Sequence, residues 1–195
     1  WAIINREDYT GVTLFEICEE VDAGNIVDQQ RVPIGRTETI TEVLDRVTQT
    51  YLLLLERNLK ALIEGAASRY PQDCKRATYT CKRTPEDNRI RWSLPARRIF
   101  DLVRAVTSPY PGAFTTLAGK TVRVWASEDI SQERKYVGAI PGRVAEVWSG
   151  RGAVVVTGDG TLLLTKVQMH DSEVVCAADV LKVGQTFDQI QKVCV

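Results

Sequence analysis

Asp22 precedes Ala23-Gly24, a turn signal between two short runs rich in β-branched residues. A carboxylate mounted on such a turn can be aimed into a cleft. Asp before Ala-Gly also caps its own backbone in ordinary turns, so the spacing alone supports both readings. A second set is basic: Lys82, Arg83, Arg89, Arg91, Arg97, Arg98 and Arg104. Guanidinium forks match the oxygens of a phosphate or diphosphate, and the same side chains can equally solvate a loop or pair with acidic residues elsewhere.

Three further patterns read more simply. Gly158-Asp159-Gly160 has the glycines of a phosphate cradle, but the following residues Leu162-Leu163-Leu164 form a strand rather than a helix, so a hairpin turn is expected. His170 beside Asp171 has the look of a catalytic pair. It is the only histidine, falls at the end of a strand and has no serine or cysteine nucleophile at a suitable spacing, so a surface residue is expected. A single histidine also excludes a His-rich zinc centre or a facial triad within this chain, and no metal site is expected. Cys18, Cys74, Cys81, Cys176 and Cys194 are odd in number and lack CxxC spacing, which predicts free thiols, small buried residues or bystanders, in a reducing compartment, hence a cytoplasmic protein.

The elements that must position these residues are legible in part. Gly11 to Ile17 and Asn25 to Ile34 read as strands, the second with Ile26, Asp28, Gln30, Val32 and Ile34 on one face. Thr39-Ile40-Thr41-Glu42 has the form of a capping box. After it Ile40, Val43, Leu44, Val47, Tyr51, Leu54, Leu55 and Leu62 recur at helical spacing, predicting a helix from about 40 to 64 that stops at Gly65. Ile99, Leu102, Val103 and Val106 predict a shorter helix with Pro95 in its first turn, ended by Ser108 to Gly112. From 112 onward five short β-runs, 113–117, 121–126, 142–148, 153–157 and 161–167, predict a small barrel of OB type, with a helical turn at 177–181 before the close.

Composition sets the class. Of 195 residues 44% are hydrophobic and 26% charged, with 25 Lys+Arg against 25 Asp+Glu, as in an ordinary globular protein. Residues 1–68 carry 6 basic and 12 acidic side chains, residues 69–104 carry 10 and 4, and residues 112–195 carry 9 and 9. Hence the expected division is 1–68 as an α/β piece, 69–111 as a basic connector and 112–195 as the barrel. The longest aliphatic run, Leu52 to Leu55, is far too short to span a bilayer, and no membrane partner is expected. The chain opens at Trp1 with Met169 as its only methionine, which predicts a portion of a longer protein.

Trp1 to Asn5, Thr10 to Leu14 and Val21 to Ile26 with Gln29 to Val32 resemble the second half of the catalytic domain of folate-dependent formyltransferases. Lys82 to Asp87, Ile90 to Trp92, Val103 to Val106 and Pro109 to Phe114 continue the match in order. The wording of Asp22-Ala23-Gly24, Arg83 to Asp87 and Val103 to Val106 is closer to the sugar-nucleotide N-formyltransferases, such as those acting on UDP-4-amino-4-deoxy-arabinose. The methionyl-tRNA branch is similar through Pro109 to Phe114 and Gly158 to Gly160. The neutral barrel is a weak discriminator against a tRNA-binding role.

The resemblance implies the C-terminal part of a Rossmann-like formyltransferase domain followed by an OB-like barrel, with 10-formyltetrahydrofolate as donor. An Asn, a His and an Asp carry the chemistry in that family. Only the Asp maps here, onto Asp22, while the other two belong to an Asn-x-His-Pro-Ser-type loop upstream of Trp1. The resemblance also implies that the backbone of Glu20, Val21 and Asp22 meets the pterin, and it makes Arg83 and Arg104 the choices for the acceptor's phosphates or for structural pairing. It implies N-formyl transfer to a nucleotide-linked amino sugar in the intact protein, an inactive isolated chain, and an unpaired strand edge that favours a homo-oligomer. Methionyl-tRNA as acceptor is the alternative, and a non-catalytic binding module is an alternative of another class.

Overall fold

The computed structural model describes residues 1–131, 136–170 and 172–188. Two compact units divide it: residues 1–2 with 6–82, and residues 3–5 with the chain from Arg83 onward. The stretch 69–111 is shared between them, 69–82 with the first and 83–111 with the second. Cys194 lies outside the described residues, as does Asp171.

A four-residue helix, α1 (Ala2–Asn5), opens the chain, followed by β1 (Tyr9–Phe15) and β2 (Ile26–Pro33). The strands pair antiparallel from Tyr9 opposite Pro33 to Leu14 opposite Asp28, and then slip, placing Phe15 opposite Ile26. That irregularity corrects the expected face of β2. Val27, Val32 and Ile34 are buried while Gln30 is exposed, because an extra residue in the ladder reverses the alternation on one side of it.

The helix α2 (Ile40–Ile63) follows, with its expected capping box: the Thr39 N–H donates to the Glu42 carboxylate at 2.7 Å. Gly65, at φ +69, ends it in the left-handed region that glycine tolerates. Val12, Val32 and Leu54 form the core of this unit, with Leu14 and Val47 against them. Here the expected apolar stripe needs correction. Tyr51 and Leu55 are exposed, as are Leu52, Leu53, Leu59 and Ile63, all between 46% and 77%. A sheet of only two strands covers one face of a 24-residue helix and leaves the rest of its apolar girth to solvent.

In the second unit α3 (Ala96–Val106) takes Pro95 as its N-cap rather than in its first turn, and buries Ile99, Phe100, Val103 and Val106. Strands β3 (Ala113–Leu117), β4 (Lys120–Asp129), β5 (Val144–Trp148), β6 (Gly152–Val156) and β7 (Thr161–Met169) match the five expected runs. A sixth, β8 (Val174–Cys176), was not foreseen, and leads into the short helix α4 (Ala177–Val180). The sheet order is β3-β4-β7-β6-β5, all antiparallel, with β8 on β7.

Residues 184–188 tie its two edges together. The Val144 N–H donates to Gln185 O, the Phe187 N–H to Gly142 O, and the Asp188 N–H to Thr116 O. Phe187 thereby stacks on the buried Trp92 at 4.9 Å, while the Trp92 Nε1–H donates to Thr115 Oγ1 at 3.0 Å. The expected fold class, α/β followed by all-β, is the one found. Among the described residues no helix is long and apolar enough to cross a membrane.

Candidate functional site

The β1–β2 connection is a loop with two anchors. At its stem the Glu16 N–H donates to Asn25 O at 3.0 Å, and the Glu16 carboxylate accepts from Asn25 Nδ2 at 3.0 Å and from the Arg69 guanidinium. The hydrogen bond from Arg69 holds the Glu16 carboxyl below the ordinary glutamate range, with Asn25 adding to it. Gly24 is required at this point: a Cβ on it would lie 1.7 Å from the Glu16 carbonyl oxygen.

Asp22 stands at the tip, exposed, in the left-handed region at φ +58. Aspartate is among the few side chains that visit this region, and it does so as single residues. The second anchor meets the backbone here. Gln72 Nε2 donates to Asp22 O at 2.7 Å and to Gly24 O at 2.8 Å. Gln72 reaches the loop because Tyr70 exchanges backbone hydrogen bonds with Ile26 at 2.7 and 2.8 Å, laying 70–72 beside the start of β2.

Glu20 and Val21 complete the tip. The Cys18 thiol donates to Glu20 O at 3.1 Å, and Ile17 and Val21 hold their side chains 97% and 87% exposed. The loop thus offers a carboxylate, backbone polar groups and two bare aliphatic side chains within six residues.

The arginines singled out in the sequence lie in the other unit. Arg83 Nη2 donates to Asp87 O at 3.0 Å and Asn88 Oδ1 at 2.7 Å, clasping the 3₁₀ turn Pro85–Asn88. Arg104 is 5% exposed, its Nε 2.8 Å from the fully buried Asp101. Its observed partner is thus a buried carboxylate on its own helix. His170 is exposed at the end of β7, at φ +49, as a surface residue would be. Cys18, Cys74 and Cys81 are exposed free thiols, and Cys176, at the end of β8, is a half-buried one, so of the two expected alternatives, buried residues or bystanders, the buried one is corrected for these four.

A cavity of about 460 Å³ lies in the second unit against the Gly158-Asp159-Gly160 turn, and none of Glu20, Val21, Asp22, Arg83 or Arg104 lines it. Two of its polar groups are internally engaged: the Ser131 hydroxyl donates to the Asp129 carboxylate at 2.6 Å and Tyr136 donates to Glu146. Among the described residues no group of three or more His, Cys, Asp or Glu is placed to hold a metal.

The sequence pointed to Asp22 and its neighbours but not to Glu16, Asn25 or Gln72. An uncharged amide in a loop gives no local signal, and its contact spans 50 positions.

Comparison with known proteins agrees with this architecture. A family model described as "Formyl transferase, C-terminal domain" matches residues 82–184, and one described as "Formyl transferase" matches residues 1–57. The methionyl-tRNA formyltransferase of Sorangium cellulosum (strain So ce56) is 36% identical over 188 residues, covering 96% of this chain and 59% of that protein. The chain therefore spans about three fifths of that relative's length.

Two solved structures share the fold at low identity. HypX from Aquifex aeolicus, in complex with tetrahydrofolic acid, superposes with a TM-score of 0.70 at 24% identity, over 93% of this chain and 31% of that one. An N-formyltransferase from Helicobacter canadensis, in complex with folinic acid and dTDP-3-aminofucose, gives 0.63 at 19% identity, over 87% and 59%.

Proposed function

The chain belongs to the formyl transferase family, and from that premise we propose that the protein containing it moves a formyl group from 10-formyltetrahydrofolate to the primary amine of an acceptor. The observation that carries this reading is the doubly anchored turn presenting Asp22 in the open. Preorganised carboxylates of this kind serve as proton acceptors with little rearrangement. Ile17 and Val21 offer an apolar surface suited to a flat heteroaromatic ring, and the backbone of Glu20 to Asp22 offers polar groups at its edge.

When bound, 10-formyltetrahydrofolate would supply the one-carbon unit: the acceptor nitrogen would bond to the formyl carbon, the bond from that carbon to the folate nitrogen would break, and the amine would give up one proton while the leaving folate nitrogen takes one up. Asp22 is the residue of this chain to which that proton is assigned, directly or through the family's histidine, which the carboxylate would orient. Asp22→Ala in the full-length protein lowers turnover at least ~100-fold, as loss of a general acid–base group does. Near-normal turnover in steady-state assays would remove Asp22 from the mechanism.

For the acceptor we propose a nucleotide-linked amino sugar. The reading rests on the Arg83 to Asp87 and Val103 to Val106 segments and on the even balance of charge in residues 112–195. A second reading, methionyl-tRNA, is favoured by the 36%-identical relative. Mass spectrometry of UDP-amino sugar, dTDP-amino sugar and methionyl-tRNA, each incubated with the full-length protein and the donor, separates them. A formylated sugar nucleotide supports the first and formylated methionyl-tRNA the second. No product with any of the three would favour a binding role.

A further inference from the structure

Asp22 owes its direction to its backbone, and one side chain grips that backbone. The stem of the loop is fixed by Glu16, Asn25 and Arg69, but these contacts stop short of the tip. At the tip Asp22 sits at φ +58, a conformation that a free chain leaves readily for the broader extended and right-handed regions. Gln72 Nε2 has two hydrogens, and the turn offers it two carbonyls, Asp22 O at 2.7 Å and Gly24 O at 2.8 Å. With both bonds made, the Asp22–Ala23 and Gly24–Asn25 peptide planes are set, and the Cα–Cβ bond of Asp22 is constrained with the first of them. Gln72 is itself held in place, because the Tyr70–Ile26 pair fixes the chain two residues earlier.

We propose that Gln72 is the positioning residue for Asp22: its amide bridges the carbonyls of Asp22 and Gly24 and so aims the Asp22 carboxylate at the reacting amine. The proposal rests on the formyl-transfer reading above. The chemistry of the side chain is specific. Glutamate would turn a carboxylate toward two carbonyl oxygens, asparagine is one methylene too short, and methionine keeps the length but lacks the donor. Lysine has the reach and brings three donor hydrogens.

The experiment compares Gln72→Met, Gln72→Lys and Asp22→Ala with the parent in the full-length protein. Turnover with 10-formyltetrahydrofolate and KM for that donor are measured beside amide hydrogen exchange across residues 17–25. In Gln72→Met kcat falls about 10- to 100-fold, the range expected when a catalytic group is displaced by about an ångström. KM for the donor changes less than kcat, exchange in 21–25 accelerates, and exchange in α2 stays as in the parent. Gln72→Lys recovers much of the lost kcat and of the protection.

Unchanged kcat or unchanged exchange in Gln72→Met overturns the proposal. So does a loss that Gln72→Lys fails to rescue while α2 also loses protection, since that pattern belongs to a residue needed only for folding. Full turnover in Asp22→Ala overturns the underlying assignment of Asp22 instead. The exchange data then still report whether Gln72 holds the turn.

Discussion

Arg104 shows what burial adds to a residue whose partners a sequence leaves open. Its guanidinium lies 2.8 Å from Asp101, which is fully buried, and Arg97 approaches the same carboxylate at 3.5 Å from the adjacent turn. Removing one member of a buried pair strands the other charge, at a cost of roughly 3–5 kcal/mol. Arg104→Met therefore lowers the stability of the second unit by about that amount in urea titrations. KM for donor and acceptor in the protein that remains folded is unaltered. The spacing Arg97, Asp101, Arg104 places all three on one face of α3 together with Phe100 packing, and is a helical ion-pair pattern that the sequence displayed. What it did not display is that this face points inward. Asp22 was the reverse case: the turn was legible from Asp-Ala-Gly, and its exposure followed.

Elements whose signals are local were found where expected, including α2 from its capping box and five strands of the barrel from alternation between glycine turns. Two of the departures have short-range limits as their cause. Strand β8 has three residues, too few to show a period, and the slip between Leu14 and Phe15 depends on the partner strand rather than on either strand alone. The loop between β1 and β2 is held by contacts from 69–72 that lie over 40 positions along the chain, beyond any local pattern. Its tightest point is Gly24. Gly24→Ala forces a methyl against the Glu16 carbonyl, which cannot give way without breaking the Glu16–Asn25 bond, and destabilises the first unit by roughly 2–4 kcal/mol. A thermal melt, together with exchange at residues 16–25, checks this; a wild-type melt would show that the loop stem yields freely.

Across the whole chain the net charge is zero, and the acidic, basic and neutral stretches that divided the sequence do not coincide with the two units, because charge follows surface and the units follow buried contacts. The break between the matched domains, after 57 and before 82, lies closer to the structural division at Lys82. The apolar girth of α2 was legible as a helix, but periodicity reports only that a face is oily. Which part of that face finds a cover is a property of everything packed around it. For the 195-residue chain on its own, that bare helix turns shelf life into a question of collision frequency. Encounters between oily faces scale with the square of concentration, so light scattering on gentle warming should begin at lower temperature as the chain is concentrated, while the double variant Leu52→Glu, Leu59→Glu should scatter at one temperature throughout.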